Sequence, residues 1–404
     1  MIESPALKKI LGSGCCSGCG LCASLAPGAI TMDYNGEGYL RPRQRQEIGA
    51  TAGRMIAEIC PGLSLDLQPS AAENHLLWGP IIAARTGHAT DAELRHRASS
   101  GGVISALLVH LLETKAIDFA IQIAAAGDFP ARNISTVSTR AEDVWAAAGS
   151  RYAPSSPLEQ LGVHLAKPGR FAVVGKPCDI AAIRALAARD PRVDEKIPVL
   201  LSFFCAGIPS TKGAEKIMHE MGVAPGDVRS FRYRGDGWPG FATAVTTSGE
   251  HKRMSYADSW GNILSHRLQF RCKICPDGSG GFADVVCGDA WESDENGYPK
   301  FAELDGRSLI LTRTPRGEAL VLASAAAGVI ATAPLPVEQV EAMQPSQARR
   351  KRLVLSRLWA MRVLGRATPR FSGLRLGDAA RAAGIFANAR SFLGLMRRLL
   401  LAKP

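Results

Sequence analysis

Residues 16–22 read Cys16-Ser17-Gly18-Cys19-Gly20-Leu21-Cys22. Three thiols at a two-residue spacing, relieved by glycine, let a short loop wrap so that all three point at one centre. In the iron–sulfur pattern such a run is followed, after three more residues, by a fourth Cys and a Pro. Here Ala26 stands at the fourth position, although Pro27 is in place. A four-iron cube takes four ligands, and the next Cys-Pro is Cys60-Pro61. Cys16, Cys19, Cys22 and Cys60 are therefore read as one 4Fe–4S site. A structural zinc loop is the alternative, since zinc also takes four thiolates; the repeated Cys-x-x-Cys step favours iron–sulfur. Cys15 is the spare candidate, and its side chain diverges from that of Cys16 in most backbone conformations.

A second set of cysteines lies far along the chain. Cys272-Lys273-Ile274-Cys275-Pro276-Asp277 is a tight Cys-x-x-Cys in a turn-forming context. By itself it fits a redox dithiol, a zinc knuckle or half of an iron–sulfur site. Cys178 and Cys205 each follow an apolar strand pattern, where the strand gives way to a turn or helix. In a parallel α/β sheet such positions gather at the ligand-binding edge. A shared four-thiolate site and ordinary burial of free cysteine both remain open on these grounds. Cys287, inside Val285-Val286-Cys287-Gly288-Asp289, reads as packing. Eight histidines are scattered without metal spacing.

The elements that must position these groups belong to a chain of 404 residues, 46% apolar and 21% charged, with no low-complexity run. That length buries a large core and accommodates two or three domains. The first residues lack a signal-peptide pattern, and no run of about 18 apolar residues is present. Ten cysteines without a secretion signal imply metal ligation in a reducing compartment. A cytoplasmic location is expected. The net charge of +11 suggests nucleic acid until it is located. From Arg349 onward there are fourteen Lys and Arg against one acid, Asp378, which leaves −2 for residues 1–348. The body is nearly neutral, and nucleic acid is not expected as a partner.

Residues 1–65 form a Gly-rich, cysteine-bearing module, and Gln68 to Asn74 reads as a linker. Residues 78–345 alternate helix and strand signals, which implies an α/β core. Strands are expected at Ile117–Ile123, Phe171–Val174, Val199–Phe204, Val228–Tyr233, Ala242–Thr247 and Leu309–Arg313. Helices are expected at Val103–Leu112, from Cys178 to about Ala188, and at Thr211–Met221. Residues 346–404 form a basic helical tail.

Several segments together resemble the coenzyme F420 hydrogenase and dehydrogenase beta subunit family. They are the Cys-x-x-Cys-x-x-Cys start, Ser99-Ser100-Gly101-Gly102, Gly149-Ser150-Arg151-Tyr152, Gly175-Lys176-Pro177-Cys178, Phe204-Cys205, Arg234-Gly235-Asp236-Gly237-Trp238-Pro239, Arg271-Cys272-Lys273-Ile274-Cys275-Pro276-Asp277 and Gly288-Asp289-Ala290-Trp291. Order and spacing match over roughly residues 10–335. The family also contains 7-hydroxymethyl chlorophyll a reductases and ferredoxin-dependent divinyl chlorophyllide 8-vinyl reductases. Its members resemble one another in carrying FAD and iron–sulfur clusters on an α/β core. The resemblance implies that Cys178, Cys205, Cys272 and Cys275 ligate a second cluster. The chain departs from many relatives at Ala26, and their second cysteine run is reduced here to Cys60-Pro61-Gly62. Its N-terminal ferredoxin-like module therefore holds one cluster.

No Gly-x-Gly-x-x-Gly follows a strand, so a standard dinucleotide fingerprint is absent. The resemblance places FAD elsewhere. Ser99, Ser100, Gly101 and Gly102 at a helix start offer hydroxyls and free N–H groups for phosphate; a plain N-cap is the alternative. Gly149-Ser150-Arg151-Tyr152 adds a cation and a ring, with Ser150, Arg151 and Tyr152 suited to pyrophosphate and isoalloxazine. Gly175 and Lys176 follow a buried strand, so Lys176 is placed to stabilise an anionic reduced flavin. Asp277, Asp289, Trp238, Trp260 and Trp291 are candidates for a substrate cavity, with packing expected for at least two of the tryptophans. In the tail, Arg349-Arg350-Lys351-Arg352 precedes Leu353, Leu355, Leu358, Trp359, Met361 and Leu364, and Phe392–Leu401 carries Arg397 and Arg398. That pattern suits an anionic membrane surface, an acidic partner, or a helical pair packed on the core.

The expectation is an iron–sulfur flavoprotein oxidoreductase with two 4Fe–4S clusters and FAD. Electrons enter from a ferredoxin-like donor or a partner subunit at the N-terminal cluster and pass to a two-electron acceptor such as a deazaflavin or tetrapyrrole. The rivals are a non-catalytic electron-transfer subunit and a zinc-stabilised binding module.

Overall fold

The apolar runs of the middle of the chain build one eight-stranded sheet. In the computed structural model, residues 3–70, 72–292, 300 and 302–401 are described. The strands are β1 (Ala83–Ala89), β2 (Phe119–Ala125), β3 (Asn133–Ser138), β4 (Phe171–Gly175), β5 (Leu200–Phe203), β6 (Val285–Asp289), β7 (Ser308–Thr312) and β8 (Ile330–Pro334). Their spatial order is β8-β1-β7-β6-β5-β4-β2-β3. The central four, β2, β4, β5 and β6, run parallel. The flanking strands are antiparallel to their neighbours. Parallel strands covered on both faces read as continuous apolar runs, and Phe171, Ala172, Val173, Leu200 and Leu201 are all buried.

Strand direction decides where the site lies. Neighbouring parallel strands end at one sheet edge, and loops leaving that edge converge. Gly175, Phe203 and Asp289 end β4, β5 and β6 there. The antiparallel β7 begins at the same edge, with Ser308 opposite Asp289. β1 ends there too, and the Ala89 N–H donates to the Gly101 carbonyl at 2.7 Å, which pins the Ser99–Gly102 loop. Helix α1 (Val103–Glu113) starts behind that loop and α2 (Pro177–Ala187) behind β4.

The strand expected at Ile117–Ile123 begins two residues later. The Ile117 N–H is spent on the Leu111 carbonyl at 3.2 Å, closing the end of α1. Of the expected linker, Glu73 and Asn74 instead pair with Ile81 and Pro80 in a short hairpin. A separate three-stranded sheet, Val228–Arg232, Phe241–Thr246 and His251–Ser255, packs with the helix Thr211–Glu220 through Ile217, Met218, Phe231 and Ala242. The N-terminal residues form helices Pro5–Gly12, Leu21–Leu25 and Ala50–Ile59 around Leu7, Ile10, Ile30 and Ile56.

The basic C-terminal residues are woven into this body. Helix α3 (Pro345–Val363) buries Val354, Ala360 and Met361 in the same core as Phe171, Val173 and Ile180. Residues Arg370–Ser372 add a parallel strand to Ser64–Asp66. Helix α4 (Leu376–Leu401), bent at Gly384, buries Leu395 and Leu399 against that core. Of the arrangements open for residues 346–404, the geometry is that of a helical pair packed on the core. No helix among the described residues is long and apolar enough to cross a membrane. Met361 is fully buried, so Met361→Ala is expected to cost about 2–5 kcal/mol of unfolding free energy in urea titration. An unchanged midpoint would show that α3 does not belong to the core.

Candidate functional site

Cys16, Cys19 and Cys22 lie on and just after the loop that leads into Leu21–Leu25, and Cys60 follows the helix Ala50–Ile59. The loop turns at Gly18 and Gly20, whose φ values are +79° and +87°. A Cβ on Gly20 would come 2.9 Å from the Glu159 nitrogen, so glycine is required there. The four thiols line one cavity of about 20 Å3 whose other walls include Ile10, Leu25, Met32 and Ile56. Backbone N–H groups of Gly18, Leu21, Ala23, Gly62 and Leu63 lie beside the sulfurs and favour their thiolate forms. Burial pushes all four thiols up, Cys19 to about 12, so binding of a metal centre would release protons. Cys15 is buried as well, but its Sγ lies 3.6 Å from the Ser13 carbonyl oxygen and it packs into the main core.

The other set gathers at the sheet edge. Cys178 opens α2, Cys205 follows β5, and Cys272 and Cys275 come from the loop around the short helix Phe270–Lys273. Cys178 feels Cys205 and Cys275, and Cys205 feels Cys272 and Cys275. Burial raises the pKa of Cys178, Cys205 and Cys272, that of Cys205 to about 12. The Ile208 N–H donates to Cys272 Sγ at 3.3 Å. Among the described residues no group of three or more His, Cys, Asp or Glu side chains is placed to hold a metal ion. A four-iron cube spreads its thiolates wider than a single ion does.

Arg271 ties the two thiol loops together. It is 2% exposed, donates from Nη2 to the Pro61 carbonyl at 3.1 Å, and leaves Nε and Nη1 buried without a partner. Burial alone would lower its pKa, but Cys275, Cys15, Cys178 and Cys272 raise it overall. Two orphaned donors beside sulfur ligands fit an acceptor-rich anionic group between the loops. Gln269 makes a parallel tie, donating from Nε2 to the Ser17 carbonyl at 3.3 Å. The tail closes the same loop from outside. Arg350 donates to the Cys205 and Ala206 carbonyls, Lys351 to that of Pro276 at 2.9 Å, and Arg357 to that of Lys273 at 2.6 Å.

Between these groups the sheet edge opens into a cavity of about 220 Å3. Its wall includes Ser99, Ser100, Gly102, Ser150, Arg151, Tyr152, Gly175, Lys176 and Cys205. Gly101 lies within the same turn, with φ +77°, where a Cβ would meet the Gly306 carbonyl at 2.8 Å. No side chain caps α1, whose first residues, Val103 and Ile104, also line the cavity. Uncapped N–H groups at a helix start suit an anion. The plain N-cap reading of the four small residues is therefore not what the structure has. The hydroxyls work as ties: the Ser150 N–H donates to Ser99 Oγ at 2.5 Å, and Ser100 Oγ donates to Asp289 at 2.8 Å. A second cavity of about 350 Å3 lies along the same Ala147–Arg151 segment and is lined by Arg229 and Arg232.

Two expected roles change. The Arg151 guanidinium donates to Asn133 and to the carbonyls of Pro130, Arg132 and Phe231, so it anchors the wall instead of presenting a free cation. Lys176 is 3% exposed, and its Nζ lies 2.8 Å from Asp179 Oδ2 and 2.9 Å from Ser155 Oγ. Burial pulls its pKa down, but Asp179, Cys178 and Cys19 outweigh that and keep it charged. Its charge is thus balanced by Asp179 within the chain. Asp277 turns into its own loop, accepting from the Gly281 N–H at 2.7 Å, with Oδ2 buried and unpartnered. Asp289 forms a two-point pair with Arg234 at 2.7 and 2.8 Å and accepts from Trp238 Nε1. Trp238 stacks on Trp291 at 4.7 Å, while Trp260 packs on Tyr152. Asp179 was not singled out from sequence; Arg234 and Arg271 stood there only within segments of the family resemblance, and Arg350 and Lys351 only as part of the basic tail, with no role at this site.

Comparison with known proteins assigns most of the chain to one family. Residues 84–161 match the N-terminal, and residues 169–338 the C-terminal, family model of the coenzyme F420 hydrogenase/dehydrogenase beta subunit. The coenzyme F420 hydrogenase subunit beta of Methanococcus voltae is 29% identical over 268 residues, 63% of this chain and 85% of that one. The coenzyme F420-dependent sulfite reductase of Methanocaldococcus jannaschii is 27% identical over 332 residues, 77% of this chain but 46% of that one. A chain of the F420-reducing NiFe hydrogenase complex from Methanosarcina barkeri superposes with a TM-score of 0.58 at 22% identity, covering 74% of this chain and 98% of that one, and shares the fold. The chain belongs to the coenzyme F420 hydrogenase/dehydrogenase beta subunit family.

Proposed function

We propose that the chain is an iron–sulfur flavoprotein oxidoreductase. In this reading Cys16, Cys19, Cys22 and Cys60 hold one 4Fe–4S cluster, Cys178, Cys205, Cys272 and Cys275 hold a second, and the cavity at the sheet edge takes FAD. The observation that carries it is the double membership of Cys205, which stands in the second thiol group and in the cavity wall. Lys176 likewise lines the cavity while its charge is felt by Cys19 and Cys178. Electron carriers placed this way adjoin the group that reacts with substrate.

Bound FAD supplies the exchange between single electrons and a two-electron step. The chain's own residues do the rest. The open start of α1 and the Ser99–Gly102 turn receive the phosphates, Tyr152 offers a ring face, and the buried Lys176–Asp179 pair excludes water at the inner end. The donor is a ferredoxin-like protein or a partner redox subunit. The acceptor is a small two-electron acceptor, and the names of the relatives favour the deazaflavin coenzyme F420 over a tetrapyrrole. A second reading, a relay subunit that performs no substrate chemistry, is favoured by the matches to subunits of larger enzymes. Reduction of coenzyme F420 by the isolated, chemically reduced chain separates the two.

Anaerobically purified protein is expected to contain about eight iron and eight acid-labile sulfide per chain, as two cubes, together with FAD. Zinc without sulfide would reject the redox reading.

Cys60→Ser is expected to remove about half the iron or leave it oxygen-labile, while Cys15→Ser leaves the iron content unchanged. The reverse pattern would assign the fourth ligand to Cys15.

A further inference from the structure

Residues 339–404 lie outside both family-matched segments, and helices within them line a broad concavity. Helices α3 and α4 enclose a groove of about 1190 Å3 with Leu353, Phe386 and Leu401 among its apolar lining. Six arginines line it: Arg349, Arg352, Arg357, Arg390, Arg397 and Arg398. Arg352 is paired with Glu341. Arg349, Arg390, Arg397 and Arg398 have no ion pair among the described residues, and no acidic side chain lines the groove. Phe386 is 91% exposed at its lip, directly after the bend at Gly384.

The groove is bound to the second thiol loop. Arg357 donates to the carbonyl of Lys273, which sits between Cys272 and Cys275, and from Nε to Ser391 Oγ on α4 at 3.2 Å. One arginine thus joins both groove walls to the loop that carries two candidate cluster ligands. Burial, together with the nearby charges of Arg398, Arg350 and Arg349, lowers the pKa of Arg357 to about 10. The charges of Arg349, Arg390, Arg397 and Arg398 are uncompensated among the described residues, as in a site that meets its anions in a partner.

We infer that this groove docks an acidic, single-electron carrier protein and admits its electrons at the second cluster. The inference rests on the redox reading above and moves the protein donor's entry point away from the N-terminal cluster. A lipid surface would use the same charges, but a bilayer presents no protrusion to fill a concavity, and nothing about lipid explains the attachment to the Cys272–Cys275 loop. An apolar centre rimmed by cations suits a small transient protein contact, steered by charge and weakened by salt.

The test uses the full chain and an acidic bacterial-type ferredoxin as probe, with binding measured by calorimetry at low and high salt. The groove variant is Arg390→Glu with Arg397→Glu, both exposed. The charge-matched control is Lys8→Glu with Arg54→Glu, exposed on the N-terminal module. Salt-sensitive binding that the groove variant weakens by about tenfold or more, and the control leaves unchanged, is expected. Binding lost in the control but kept in the groove variant would overturn the proposal in favour of the N-terminal entry. Absent ferredoxin binding would overturn it as well, as would groove-dependent binding only to phosphatidylglycerol–phosphatidylcholine vesicles. Iron, sulfide and flavin measured on the same samples report separately on the redox reading. Far-UV circular dichroism identifies any variant that fails to fold, and single substitutions at Arg390 and Arg397 then replace the pair.

Discussion

The arrangement turns on one buried ion pair, Lys176 with Asp179, at the turn that leaves the central strand Phe171–Gly175. Both side chains are almost wholly inaccessible, and Asp179 also accepts from the Lys176 backbone N–H at 3.0 Å, fixing the first turn of the helix that follows. Pro177 suits that position because its missing N–H would have no helical partner. Cys178 lies between the two in the sequence, and both charges act on its thiol. Removing one partner would leave a bare charge in the core, at a cost of about 3–5 kcal/mol. The pair also reaches Ser155, on the segment that holds the glycine-turned loop of Cys19, whose carbonyl accepts from the Leu158 N–H at 3.0 Å. One ionic junction thereby touches the first thiol loop, the second thiol group and the cavity wall.

Much of this was legible in the residues. Parallel strands buried on both faces announce themselves as apolar runs, and the turns after Gly175 and Phe203 carry the cysteines at the edge where a parallel sheet binds ligands. Local spacing placed Cys16, Cys19 and Cys22, and the next Cys-Pro, Cys60-Pro61, supplied the remote partner that lines the same cavity. What stayed illegible was long-range pairing. Nothing near Lys176 says whether its charge is spent on Asp179 or held for a ligand, because both residues also make an ordinary helix start. Arg151 reads as a free cation until the carbonyls of Pro130, Arg132 and Phe231 close around it. These partners are set by tertiary packing, which leaves no periodic trace.

The C-terminal residues show the same limit at larger scale. Their arginines, segregated from a body of net −2, look like a surface device. In the fold they divide: Arg350 and Lys351 turn inward to the backbone carbonyls of Cys205, Ala206 and Pro276, Arg390, Arg397 and Arg398 of α4 line the groove, and Arg357 does both, lining the groove while donating to the Lys273 carbonyl. A basic stretch can therefore brace a buried loop and present charge outward at once. Amphipathic periodicity does not reveal this, since the inward cations snorkel along apolar stems to polar acceptors.

The proposal that two clusters and a flavin lie close together makes them a single electrically connected unit. Anaerobic reductive titration of the purified full chain, followed by absorbance and electron paramagnetic resonance, tests it most directly. Uptake of about four electrons per chain is predicted, one for each cube and two for the flavin, with a split signal from two interacting reduced clusters. Uptake of two electrons or none, or two cluster signals that do not interact, would contradict the account.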